Sequence, residues 1–317
     1  MSANLETMFY TGREVPWHGL GISVEEAPNS KEAIKYAGLD WTVYQTDVLD
    51  GNGCVIDGYK ANIRSTDNKF LGMVKGRYRI VQNEEAFEFT DALIGEGAKY
   101  ETAGSLDGGK RVWMLARLPE TKILDDTVIP YVCFTNGHDG FNGIKACCTP
   151  VRVVCQNTLN FALSNAPRSW HTKHTGDIKG KLEEARHTLE LTNNYMSELA
   201  IVSDQLANTS VSEEEVSSIL DNIFPVTDTM TERAKANVEE NKNKFMICML
   251  APDLLKFKGT AYQVAQATAD FVDHAKPSRM VENYQEKNFG KILDGHIVLD
   301  KVFLQLMNKV NSGKLIA

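Results

Sequence analysis

An α+β fold is the architecture this 317-residue sequence predicts, with an antiparallel β-sheet and helices in the N-terminal half and a mostly helical C-terminal half. Three observations carry that expectation. Up to about residue 155, short runs alternate apolar and polar side chains between Gly/Asn/Asp turns, the mark of half-buried strands. Two capped, Gly-terminated segments interrupt them as helices. From Asp177 onward the apolar spacing lengthens to alternate fours and threes, the period of a helix seam. The expected division is an α/β core domain with an N-terminal arm over 1–165 and a helical domain over 176–317.

Residues 1–30 are punctuated by Gly and Pro and include VPWHGLG at 15–21, so an ordered but irregular arm is expected. Asn29 or Ser30 caps a short helix over KEAIKYA, which stops at Gly38. Residues 41–49 alternate as a strand, and 54–63 and 69–74 are two more. The STDN turn at 65–68 makes that pair an antiparallel hairpin. Asn83 caps the helix EEAFEFTDALI, which ends at Gly95. Strands follow at 98–103 and 111–118 around the SLDGG turn, then at 128–135. A last strand over 143–155 is broken or bulged near Pro150, which has no amide donor, and a helix starts over 156–164.

In the helical half, Ile178, Leu182, Ala185, Leu189, Thr192, Met196 and Leu199 share one seam of a long helix over 178–207. Ser210 with Glu213, or Ser212 with Glu215, forms a capping box, and Thr229 with Glu232 forms another. Helices are expected near 213–222, 230–250, 260–275 and 297–311.

Composition narrows the function classes. The chain is 43% hydrophobic and 24% charged, ordinary for a globular protein. A net charge of −8 argues against nucleic-acid binding over the whole surface but leaves local patches open. No apolar run approaches the length of a membrane span, and MSANLETMFYTGREV has no leader-like apolar stretch. Six cysteines, two of them adjacent, suit reduced thiols in a cytoplasm better than a disulfide framework.

Charge is the clearest local signal. Residues 1–58 carry three Lys/Arg against nine Asp/Glu. Residues 59–79 reverse this, with Lys60, Arg64, Lys69, Lys75, Arg77 and Arg79 against Asp67, and Tyr59, Phe70 and Tyr78 interleaved. Residues 80–142 carry five basic side chains against eleven acidic ones. Residues 143–181 are basic again, with Arg152, Lys173 and Lys179 among them and His171 and His174 close by. Cations alternating with aromatic rings on a hairpin suit single-stranded DNA: the charges neutralise phosphates and the rings stack on bases. The competing reading is that such charges protect sheet edges and are otherwise solvated.

Other chemistries have less support. His171 and His174 lie at i and i+3, with Cys147, Cys148 and Cys155 upstream, but no paired zinc-ligand spacing is present and no metal or cofactor is expected. Cys148 or Cys155 as nucleophile, with His138, His171 or His174 as base, needs a geometry that spacing alone does not supply. Glu84, Glu85, Glu88, Asp91 and Asp139 are acidic groups available to a metal-dependent hydrolase, without a recognisable constellation. No phosphate loop, dinucleotide fingerprint or G-x-S-x-G elbow occurs. A catalytic role is therefore not expected.

The run TPVRVVCQNTLNFAL and the following WHTKHTGDIKGKLEEARHTL resemble the phage/plasmid-like proteins of domain-of-unknown-function family 932. ETMFYTGREVPWHGLG (6–21) and KGRYRIVQNEEAFEF (75–89) are similar to that family too. The resemblance implies a mobile-element setting in a bacterial cytoplasm and carries no catalytic residue. The strand–strand–strand–helix order over 41–94 is also similar, in topology alone, to ring-forming single-strand annealing proteins. The expected function is thus a homo-oligomeric single-stranded-DNA-binding protein acting in annealing-type recombination or replication. Its contacts would be Tyr59, Lys60, Arg64, Lys69, Lys75, Arg77, Tyr78 and Arg79, with Arg152, Lys173 and Lys179 as a second bank. The alternative is a non-enzymatic counter-defence protein that binds a host factor through its acidic surfaces.

Overall fold

The computed structural model describes residues 5–11, 22–26, 28–94, 99–152, 163, 168–177, 180, 187–274, 296–313 and 315. Two compact units interleave in sequence: 1–118, 131–148 and 168–193 form one, and 119–130, 149–167 and 194–317 the other. Sheets occupy the N-terminal half and helices the C-terminal half, so the fold is α+β.

The N-terminal half runs β1 (Leu5–Thr11), β2 (Ile22–Val24), α1 (Ser30–Tyr36), β3 (Val43–Leu49), β4 (Val55–Arg64), β5 (Phe70–Lys75) and α2 (Asn83–Ile94). It continues through β6 (Lys99–Leu106), β7 (Arg111–Arg117), β8 (Thr121–Ile123), β9 (Asp126–Gly137), β10 (Ile144–Arg152) and β11 (Ser169–Thr172). A large sheet has the order β11-β10-β9-β7-β6-β1-β2, with β8 paired to β9. The strands β3-β4-β5 form a separate three-stranded antiparallel sheet.

Local signals made the expected elements. Asn29 accepts from Glu32 N and Glu32 accepts from Asn29 N, both at 3.1 Å, so a capping box starts α1. Gly38 ends it in the left-handed region at φ 63°. The arm departs from expectation. Residues 5–11 form a strand inside the large sheet, antiparallel to β6 and parallel to β2, because Met8 and Phe9 are core side chains. VPWHGLG lies outside the described residues, as does most of 156–164. The short β8 and β11 carry no alternation long enough to be read in advance.

Phe9, Ala33, Leu39, Trp41, Phe87, Tyr100, Val112, Met114 and Phe134 join Val43 and Leu71 of the small sheet in one buried cluster. Burying an aromatic such as Phe87 contributes about 1.5–3 kcal/mol. The small sheet is therefore anchored by one face only, which leaves the other for solvent or a ligand.

The C-terminal half contains α3 (His187–Ala207), α4 (Glu213–Ile223), α5 (Glu232–Met249), α6 (Ala261–His274) and α7 (Ile297–Ser312). Within the α3 seam, Thr192 and Leu199 are buried, but Tyr195 rather than Met196 is the fully buried large side chain. The side chains of Ile178, Leu182, Ala185 and Leu189 lie outside those described. Ser212 and Glu215 form the expected box. The α5 cap is Thr231, accepting from Ala234 N at 3.3 Å, while the Thr229 hydroxyl pairs with Thr227 in the preceding turn. Helix α6 is buried along most of its length and packs against α5 and α7. Lys309 of α7 forms an ion pair with Glu215 of α4. No described helix is long and apolar enough to cross a membrane.

Candidate nucleic-acid interface

The register of the small sheet sorts its side chains into two faces. Tyr44, Ile63 and Phe70 form one cross-strand row, Thr46, Ala61 and Met73 the next, and Tyr59 stands opposite Lys75. Its aromatic rings and Met73 are open, with Tyr44 43% exposed, Tyr59 38%, Phe70 53% and Met73 50%, while the small Ala61 between them is buried. The other face turns inward. Asn62 is fully buried and its amide donates to the His138 carbonyl at 2.8 Å. A Cβ at Gly72 would lie 2.3 Å from the Asp139 carbonyl oxygen, so only glycine lets β5 sit flush on the turn after β9.

Beyond β5 the chain comes back alongside residues 173–175. Arg79 N donates to the His174 carbonyl at 2.8 Å, and His174 Nδ1 donates to the Arg79 carbonyl at 3.0 Å. Tyr78 and Thr175 form an antiparallel bridge, and the Tyr78 and His174 rings stack with centroids 4.6 Å apart. The two basic stretches, separate in sequence, are thereby joined. Lys75, Arg77, Arg79 and Lys173 are all exposed, and the backbone of Lys173 runs beside that of Arg77–Arg79.

Several anticipated contacts have other roles. Arg64 is buried against two carboxylates: it donates to Glu6 at 2.7 and 2.8 Å and to Asp67 at 2.9 and 2.6 Å. Its guanidinium also lies over the Trp41 ring, 5.5 Å from the centroid. Its charge holds Glu6 below the usual carboxylate range and Asp67 at about 2, and these partners keep it fully charged in turn. Four of its five N–H donors are so occupied and the group is buried, so Arg64 fastens β4 to β1 instead of facing a phosphate. Tyr78 is corrected likewise: it is buried, and its hydroxyl donates to the Gly137 carbonyl at 2.7 Å, which leaves no ring face for a base. Lys60 lies on the opposite face from Tyr59 and pairs with Asp47 at 2.6 Å. Lys69 is exposed, 3.4 Å from Glu6. The Arg152 side chain and all of Lys179 lie outside the described residues.

Sequence reasoning missed Tyr44, Met73 and Phe141 as exposed groups, and it left Phe70, one of the interleaved rings, out of the contact set. The Ile63–Phe70 pair was within reach of it, because the 65–68 turn sets the register of β4 on β5 beside it; Tyr44, on β3, was not. Phe141, 94% exposed, had no such signal.

Beside this surface lies a buried polar knot. Asn83 donates to the Leu39 carbonyl at 3.0 Å, which turns its Oδ1 toward His138 Nε2 at 3.0 Å. His138 therefore donates from Nε2, and its buried Nδ1 has no hydrogen-bond partner among the described residues. Burial, with His174 nearby, pushes its pKa down to about 3. Burial pushes the Cys148 thiol up to about 12, a poor nucleophile at neutral pH. Asp91 accepts from the Tyr100 hydroxyl at 2.8 Å and Asp139 is occupied with its own turn. No cluster of three or more His, Cys, Asp or Glu that could hold a metal occurs among the described residues.

An α+β protein whose small sheet shows an aromatic face beside a basic rim is what fold and surface define. Comparison by sequence places it: residues 70–291 match the family described as Domain of unknown function (DUF932), and the chain belongs to that family. The matched span begins at β5 and runs into the helical half, leaving out the 6–21 arm. No curated protein and no solved structure matches the chain.

Proposed function

We propose that the protein binds single-stranded DNA on the open face of the β3–β4–β5 sheet. Tyr44, Tyr59 and Phe70 stack on bases, and Lys75, Arg77, Arg79 and Lys173 neutralise phosphates. The observation that carries this reading is the direct pairing of Tyr59 with Lys75 on an exposed, aromatic sheet face. Stacking tolerates any base and phosphate contacts carry no sequence, so binding without sequence preference follows. In the mobile-element setting that the family resemblance implies, the role is annealing-type recombination or replication by a homo-oligomer.

A second reading, docking on a host protein, draws on the far end of the β3–β4 hairpin. Leu49 and Val55 are 56% and 53% exposed there, beside exposed Asp50 and Asp57. Anisotropy of a labelled oligothymidylate separates the two. Wild-type protein is expected to bind at low salt, and the Tyr59→Ala/Phe70→Ala double variant to bind at least about tenfold more weakly, since each stack contributes about 1–3 kcal/mol. Absence of oligonucleotide binding, together with stoichiometric capture of one host protein, favours the second reading.

A further inference from the structure

We infer that Phe141 is the residue that makes the surface select unpaired over paired DNA, an inference that rests on the reading of the sheet face as a DNA site. The ring is 94% exposed, the most exposed large apolar side chain among those described. It makes no described ring contact, so its own fold gains almost nothing from it. Yet its position is closely determined. Asp139 Oδ1 accepts from Phe141 N at 2.9 Å and Asn142 N at 2.8 Å, and Asp139 Oδ2 accepts from the Asn142 amide at 2.7 Å. Asn142 Oδ1 in turn accepts from Arg111 at 3.0 Å.

The turn is also wedged against the sheet. Gly140 has φ 82°, and a Cβ there would lie 2.9 Å from the Met73 carbonyl of β5. Gly143, on its other side, comes so close to the 172–173 backbone that a Cβ would meet the Thr172 carbonyl at 2.4 Å. The backbone that carries the exposed ring is thus held between the strand bearing Lys75 and the segment bearing Lys173. With the backbone already ordered, covering the ring costs only its own two side-chain rotations.

Geometry then decides the ligand form. A lone projecting ring needs a free base face. In single-stranded DNA such faces are available, whereas in a duplex both faces of every internal pair are occupied and entry costs a few kcal/mol of unstacking. Phe141 therefore adds to single-strand affinity and leaves duplex affinity, which comes from phosphate contacts, unchanged.

The test compares wild-type, Phe141→Ala and Phe141→Trp proteins on a labelled oligothymidylate and on a duplex of equal length. The alanine variant is expected to lose about 5- to 150-fold in single-strand affinity with duplex binding unaltered. The tryptophan variant is expected to restore affinity, and its added emission to be quenched by the single strand alone. Equal loss on both DNAs overturns the inference. So does wild-type behaviour of Phe141→Ala while Tyr59→Ala/Phe70→Ala still weakens binding, which leaves the sheet reading intact. Absence of binding by the wild type overturns both.

Discussion

Replacing Lys75, Arg77 and Arg79 together by alanine is expected to flatten the salt dependence of single-strand binding, lowering the slope of log affinity against log salt by about 2. Each neutralised phosphate releases counterions worth about 0.7 in that slope for a single strand, and three are removed. Low-salt affinity falls as well. The fold should tolerate the change, because all three side chains are exposed and it is the backbone of Arg79 that bonds His174. Tyr78, which anchors the segment, is left in place. Anisotropy titrations over a salt series measure the slope, and an unchanged slope with all three cations gone moves the phosphate path elsewhere.

Acidification from pH 7 to pH 5 is the second large effect. His138 is a neutral Nε2–H tautomer whose buried Nδ1 has no partner among the described residues. Its folded pKa, about 3, is below the ordinary value of 6.5. The unfolded chain therefore takes up a proton that the folded chain refuses, and stability declines as pH falls below about 6.5 and continues to do so until about 3. At pH 5 the loss is roughly 2 kcal/mol, from 1.36 kcal/mol per pKa unit. The carboxylates Glu6 and Asp67 are held low by Arg64 and lose their contribution only at lower pH, so they do not contribute to a change between 7 and 5. Thermal melting at the two pH values measures it. His138→Gln is expected to be less stable at pH 7 but to change less between them; equal pH sensitivity of the two proteins assigns the effect to another group.

Much of this fold is written in short-range chemistry. The Asn29–Glu32 box, the Ser212–Glu215 box and the 65–68 turn act over three or four residues, and each formed where its residues stand. What escaped was set by distance along the chain. Arg64 sits in a basic, aromatic stretch and reads as a surface cation; only the fold brings up Glu6, 58 residues away, and buries it. Tyr78 is hidden because Thr175 pairs with it across the sequence. The same pairing made one rim of two basic stretches that the sequence shows apart. The turn around Phe141 was legible in NGHDGFNG, but a turn motif says nothing of how far a ring stands out from it. That came from the packing of Gly72 and Gly140, which only the tertiary arrangement decides.

Photo-crosslinking of an oligonucleotide carrying 5-iododeoxyuridine, followed by peptide mapping, tests the central claim most directly, since it reports which rings touch bases. The expected adducts fall on Tyr44, Tyr59 and Phe70 of the open sheet face. Adducts confined to other parts of the chain, or none under conditions where the oligonucleotide is bound, would contradict the assignment of that face as the DNA site.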